Sequence, residues 1–360
     1  MPSLLFFQNV GTMFPNQEPK RAMTSPFNLR IFLILCLLTA LVPAFNLTAY
    51  ADPYCRKAGR HDSESVRIIG HRGAAGLKPE NTIIGFAKAL ELGVDAIELD
   101  VLMTADKELV VHHDYRLKPE ITRNSDGTWV PEHDITPIMA MTLDQLRRFD
   151  VGRLKPGTRY ASKYPRQMPS DGERIPLLRE VIQLIKNSNH SKVELWIEIK
   201  TSPESASKTP PPETVAQHVV ALLQDHHFTQ RVKILSFDWR SLIHIQKIAP
   251  TILTIYLTSE TKQFKAASFL NPWESDWTAG FDMGKYNGSI PRTIAAAGGS
   301  WWAPKYTQIT AKQCQEAHQL GLCVAVWTPD SKKAFKKMIQ MGVDAIITNH
   351  PDRLLQILAQ

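Results

Sequence analysis

The chain has 360 residues, 43% of them hydrophobic and 21% charged, a composition that excludes a disordered chain and allows a sizeable core. Its formal charge of +7 is spread along the sequence without a basic run. That argues against a nucleic-acid binder and suits anionic small molecules, with at most transient contact with a membrane surface.

Residues 1–51 read as a leader. Arg30 supplies positive charge, Ile31 to Leu41 is an apolar run, and Ala49-Tyr50-Ala51 offers the small-x-small pattern of a cleavage site, placing the cut after Ala51. The apolar run is too short to span a bilayer comfortably, so a signal peptide is preferred to an anchor. The cationic segment lies closer to Met23 than to Met1, which makes residues 1–22 either an over-extended start or a long prelude. Leu35 before Cys36 is too bulky for a lipoprotein signal. The expectation is an exported chain, periplasmic or extracellular, whose working part is 52–360. Three cysteines remain there, Cys55, Cys314 and Cys323, so either one bridge forms or none does, and three structural thiols is the preferred reading.

From Val66 onward, short apolar runs alternate with segments of helical period. Eight strands are predicted: Val66 to Gly70, Ala96 to Val101, Leu195 to Ile199, Val232 to Phe237, Leu253 to Leu257, Trp301 to Lys305, Val324 to Trp327 and Ala345 to Thr348. Repeated βα units of that number predict one α/β domain, a (β/α)8 barrel with its reactive groups at the carboxyl ends of the strands. A ninth run, Leu109 to His113, fits a hairpin turning near Asp106 that doubles back on the second strand. A small insertion then follows, about 115–172, rich in Pro, Arg, Asp and Gly, with one short helix near Leu143 to Phe149. Ser202 to Pro212 is a loop by composition.

Chemistry clusters at the predicted strand ends. The first strand delivers His71 and Arg72, and Gly73 permits a tight turn; Pro79-Glu80-Asn81-Thr82 then opens a helix with Ile83, Phe86, Ala87 and Leu90 on one face and Gly93 at its end. In Ala96 to Val101 the strand period of two puts Glu98 and Asp100 on one face. Two such carboxylates on a buried strand are costly without a positive charge between them, and oxygen ligands point to one hard divalent cation, Ca²⁺ or Mg²⁺. Glu198 and Lys200 share a face at the end of the next barrel strand, Glu198 as a third carboxylate and Lys200 as a phosphate contact, while Glu194 falls at the opposite, inert end. Only one of His112 and His113 can face the same site, and a one-residue slip in the hairpin swaps them. Ser236-Phe237-Asp238, Trp302 with Lys305, and Trp327 to Asp330 also stand at strand ends, as core or as pocket wall. No GxSxG, GxxxxGK[ST], HExxH or GxGxxG pattern is present to suggest a rival chemistry.

In order, HRG followed by PENT, the ELDV strand, VVHHD, IEIK, SFDW, VWT and GVDAIITNHP resemble the glycerophosphodiester phosphodiesterase family, within the barrel-shaped phospholipase C-like phosphodiesterases. The resemblance runs from Ile68 to about Ile357. It implies His71 and His113 as the catalytic pair, choosing His113 over His112. It further implies Glu98, Asp100 and Glu198 as ligands of Ca²⁺ or Mg²⁺, and Arg72 and Lys200 as phosphate contacts. Phe237 and Trp327 are taken as substrate wall. The implied reaction releases an alcohol and glycerol 3-phosphate from a small-molecule glycerophosphodiester, by attack of water or through a cyclic phosphate. Two departures touch substrate detail: Pro329-Asp330 stands where the family usually has an Asn after the WT, and Asn349 where it has an Asp. The alternatives are a lysophospholipase D or phospholipase C-like lipid enzyme, which a mobile apolar lid in the insertion would favour, and a secreted binding protein on an inactive barrel, which would have lost a carboxylate or a histidine. The sequence carries no signal for an oligomeric state.

Overall fold

The computed structural model of the protein describes residues 52, 55, 66–132, 136–204, 207–259 and 276–359. The leader reading for residues 1–51, with the start at Met23 and the signal at Cys36, lies outside the described residues. In chain order the strands are β1 (Arg67–Gly70), β2 (Ala96–Met103), β3 (Leu109–Val111), β4 (Glu194–Ile199), β5 (Val232–Ser236), β6 (Leu253–Thr258), β7 (Trp301–Pro304), β8 (Cys323–Trp327) and β9 (Ala345–Thr348). Neighbours run β1-β9-β8-β7-β6-β5-β4-β2 in parallel, and β1 also pairs with β2, closing an eight-stranded (β/α)8 barrel. The barrel strands are those expected from the sequence, within a residue or two at each end.

Parallel strands of a closed barrel are buried on both faces, which is why they read as nearly continuous apolar runs. Outward residues such as Ile97, Leu99, Ile197 and Ile234 pack under the surrounding helices. Inward residues fill the barrel: Ile69, Ala96, Trp196, Leu235, Ile255, Trp301, Ala325 and Ile347 form one cluster. Trp196 and Trp301 meet edge to face at 5.2 Å, and each buries enough apolar surface to contribute roughly 4–6 kcal/mol before entropy is counted. Trp302 occupies the other face of β7, buried in the outer core with Nε1 donating to Thr258 Oγ1 at 2.9 Å. It is core, not pocket wall.

β3 is the hairpin arm. It pairs antiparallel with β2 through Val101–Val111, Leu102–Val110 and Met103–Leu109, a register centred on Asp106. The insertion that follows carries its own small core, in which Leu102 and Val110 meet Leu117, Ile138, Leu146, Val151 and Leu177. α1 (Ile83–Leu92) starts where predicted: Thr82 accepts from the Gly85 N–H, and Gly93, at φ 75°, ends it in the left-handed conformation. Ala89 rather than Ala87 completes its buried face, with Phe86 and Leu90. The short helix of the insertion, α2 (Leu143–Leu146), is one turn long.

The amino end of the barrel is sealed by charge and by a covalent bond. Glu194 accepts from Arg67 at 2.9 Å and from Lys233 at 2.7 Å, and Asp52 lies 3.1 Å from Lys233 and accepts from Trp301 Nε1 at 3.0 Å. Cys55 and Cys323 form a disulfide across a sequence separation of 268, which corrects the preference for three unpaired thiols. Cys314 is a buried thiol outside that bond. Among the described residues no helix is long and apolar enough to cross a membrane.

Candidate active site

The site is assembled at the carboxyl ends of β1, β2 and β4. After Gly70 the chain must reverse to reach α1, and it does so with Arg72 at φ 50° and Gly73 at φ 86°. A Cβ on Gly73 would come within 2.7 Å of the Gly85 carbonyl, so only glycine fits. The turn aims Arg72 inward: its N–H donates to Glu98 Oε2 at 2.9 Å, Nη1 to Glu80 Oε1 at 2.8 Å, and Nε stands 3.2 Å from Asp100 Oδ2. Asn81, also left-handed at φ 54°, donates from Nδ2 to Asp100 Oδ2 at 2.9 Å. A non-glycine residue in that region is sparsely populated and persists where surroundings hold it. Here both such residues converge on the carboxylates.

β2 and β4 supply those carboxylates. Asp100 and Glu198 are Cα partners across the parallel pair, and Glu98 lies two residues back on the same face of β2. One carboxylate oxygen from each of the three falls within 4.8 Å of the others. Lys200 Nζ donates to Glu198 Oε1 at 2.7 Å and stands 3.5 Å from Asp100 Oδ1, which is buried without a hydrogen-bond partner. In this cluster the buried acids Glu80, Glu98, Asp100 and Glu198 outnumber the buried cations Arg72 and Lys200, with half-buried Lys118 also acting on Glu80. Burial and the neighbouring Asp100 and Glu198 push Glu98 well above the usual carboxylate range, and burial raises Glu198 to about 7 against the pull of Lys200. Burial opposes ionisation of Asp100 too, but His113, Arg72 and Lys200 outweigh it and hold that carboxyl low. An all-oxygen donor set, an orphaned buried oxygen and an excess of negative charge fit one hard divalent cation.

The hairpin settles which histidine faces this cluster. The His112 N–H donates to the Asp100 carbonyl at 3.1 Å, and the ring turns away into the insertion, where Nε2 lies 3.1 Å from the Arg116 carbonyl. His113 faces the cavity and its Nδ1 is hydrogen-bonded to Asp114. On the other side, His71 presents Nε2 3.9 Å from Glu98 Oε2. Burial first, then Arg72, lowers His71 to about 4; burial, Arg72 and Lys200 do the same for His113. Burial thus favours the uncharged form of each ring.

One cavity of about 770 Å³ joins these groups. His71, Arg72, Glu98, His113, Glu198 and Lys200 line one side, and Asp100 lies buried behind them. Leu235, Leu257 and Ile347 make an apolar floor, with Phe237, Trp327 and Lys305 opposite. The Phe237 and Trp327 rings meet edge to face at 5.5 Å. Asp238 does not reach the cavity: it caps α3 (Trp239–Ile248) and bonds Arg240 and Thr201. Glu80 and Asn81 were read only as a helix start, and Asp114, Asn349 and Tyr160 were not assigned to the site. Tyr160 Oη donates to Glu80 from the insertion, so that segment helps fix Arg72.

The model of the glycerophosphoryl diester phosphodiesterase family matches residues 71–353. A glycerophosphodiester phosphodiesterase of Caldanaerobacter subterraneus subsp. tengcongensis is 31% identical over 292 residues, covering 81% of this chain and 97% of that one. A second, from Bacillus altitudinis, is 29% identical and covers 81% of this chain and 98% of its own. A solved structure of a candidate glycerophosphoryl diester phosphodiesterase from Silicibacter pomeroyi superposes with a TM-score of 0.73 at 33% identity, covering 83% of this chain and 95% of that chain. On these matches the chain belongs to the glycerophosphoryl diester phosphodiesterase family.

Proposed function

We propose that this phosphoric diester hydrolase splits glycerophosphodiesters to an alcohol and glycerol 3-phosphate, using one divalent cation at Glu98, Asp100 and Glu198 and two histidines, His71 and His113, for proton transfer. The observation that carries the reading is the convergence of both imidazoles on one cavity with three buried carboxylates that outnumber the two buried cations beside them. A cation held by those carboxylates supplies Lewis-acid stabilisation of the phosphate charge. Arg72 and Lys200 present cationic donors beside it, suited to phosphate oxygens that gain charge in the transition state. One imidazole, unprotonated, takes the proton of the attacking hydroxyl, and the other, entering as imidazolium, gives a proton to the leaving alkoxide. Phe237, Trp327 and the apolar floor suit the carbon skeleton of glycerol.

The leader is read as directing export, a reading that the Cys55–Cys323 disulfide supports, since such bonds persist in oxidising compartments. Turnover of glycerophosphocholine, glycerophosphoethanolamine and lysophosphatidylcholine by the purified chain, with Ca²⁺ and Mg²⁺ varied, tests the reading. His71→Ala and His113→Ala should each lose at least about 100-fold in kcat while staying folded. Full turnover in either variant would falsify the pairing, and turnover untouched by chelator removes the cation from it.

A further inference from the structure

β1, β9 and β8 are neighbours in the barrel, so the residues just after each strand meet in a row. These residues are His71, Asn349 and Asp330. Asp330 Oδ1 accepts from Thr348 Oγ1 at 2.8 Å and from the Asn349 backbone N–H at 2.9 Å, and Asp330 Oδ2 accepts from Asn349 Nδ2 at 2.7 Å. Asn349 Oδ1 lies 2.6 Å from His71 Nδ1. Asn349 is buried, 5% exposed.

The chain of donors and acceptors has one consistent direction. A carboxylate only accepts, so the side of the Asn349 amide that faces Asp330 must be its NH₂ group. Its oxygen then faces His71, and an oxygen only accepts, so Nδ1 of His71 carries the proton. In the neutral ring the lone pair is left on Nε2, the nitrogen that points to Glu98. Were the amide reversed, its oxygen would face a carboxylate oxygen and its NH₂ would face a ring nitrogen that had to be bare.

We propose that Asp330, acting through Asn349, is a positioning residue that fixes the tautomer and ring orientation of His71, so that His71 enters the reaction as the proton acceptor at Nε2. This rests on the catalytic role given above to His71. The proton balance follows: as the nucleophile's oxygen bonds to phosphorus, its proton passes to His71 Nε2, and as the bond from phosphorus to the leaving oxygen breaks, that oxygen takes a proton from His113, which enters that step as imidazolium with its Nδ1–H bonded to Asp114.

The relay can be inverted without losing a hydrogen bond. In Asp330→Asn with Asn349→Asp, residue 330 keeps an oxygen for Thr348 and the backbone N–H and gains an NH₂ for the carboxylate at 349, which still accepts from His71. Each single variant breaks the relay: Asp330→Asn frees the amide at 349 to turn, and Asn349→Asp sets two carboxylates face to face. Either single change should lower kcat by about 10–100-fold with KM nearly unchanged, and the double variant should return kcat to within about threefold of the parent. Nitrogen NMR of ¹⁵N-histidine-labelled enzyme, assigned with His71→Gln, should show the proton of neutral His71 on Nδ1 in the parent and the double variant, and a mixture in Asp330→Asn. A proton on Nε2 in the parent, full activity in Asp330→Asn, or a double variant no better than the worse single one overturns the proposal. Should Asp330→Asn not fold, the tautomer of the parent decides alone. If instead His71→Ala keeps full turnover while the tautomer is as stated, it is the catalytic reading of His71 that fails.

Discussion

Glu198→Gln isolates the tension in the carboxylate cluster. Burial raises Glu198 from its ordinary 4.5 to about 7. A carboxyl whose folded value lies above its unfolded one contributes most below pH 4.5 and loses that contribution as pH rises through 7. At pH 8 the ionised side chain therefore burdens the cation-free fold by about 3 kcal/mol, taking 1.36 kcal/mol per pH unit. Glutamine keeps an oxygen for Lys200, which donates to Glu198 at 2.7 Å, and removes the charge. For a domain of about 300 residues, with an unfolding entropy near 2 cal/mol/K per residue, 3 kcal/mol is roughly a 5 °C rise in Tm. Calorimetry in chelator at pH 8 should show Glu198→Gln melting above the parent, the gap closing as pH falls toward 5. With excess Ca²⁺ or Mg²⁺ the order should invert, because the parent gains from the ion and the variant has lost a ligand. A variant that melts lower than the parent in chelator at pH 8, or that gains as much as the parent from the cation, refutes the reasoning.

His112→Ala should cost about 1–3 kcal/mol of stability, since it empties a buried site and leaves the Arg116 carbonyl unpaired, yet retain kcat; a loss of turnover matching His113→Ala would mean that the hairpin register is misjudged. Asn81→Ala removes a buried donor to Asp100 and should weaken cation binding by about 10–100-fold, read by calorimetric titration; unchanged affinity would show that this amide does not hold the ligand. Cys55→Ser should lower stability by about 2–4 kcal/mol, and reductant should bring the parent to the same melting point; a parent indifferent to reductant would show that the Cys55–Cys323 bond does not support the fold.

The barrel was legible because fully buried parallel strands leave so little else for their residues to be. The hairpin could be placed because its turn residues, Thr104 to Lys107, fix a centre, and the carboxylates because Glu98, Asp100 and Glu198 obey the strand period of two. The same period also bears on Trp302 and Lys305: three residues apart on one strand, they point to opposite faces, and only Lys305 lines the cavity. Glu80 and Asn81 were hidden behind a second meaning, since polar residues ahead of Thr82 are what a helix start looks like. Their role depends on the left-handed turn at Arg72, which no local propensity announces. The contacts of Asp330 with Asn349 and of Cys55 with Cys323 join segments far apart in the chain, and spacing alone carries no trace of such pairs.

The two ends of the barrel run the same experiment with different endings. At the amino end, buried Asp52 and half-buried Glu194 meet buried Arg67 and Lys233, so each of these acids faces a base within the protein. At the carboxyl end four buried acids meet two buried bases, with half-buried Lys118 also acting on Glu80. A barrel can evidently neutralise its own interior, so the imbalance at the mouth is not a failure of packing but a debt in the currency of the ligand. It also gives the molecule a polarity: one end is closed by ion pairs and a disulfide, and the other leaves its acids in excess beside the cavity.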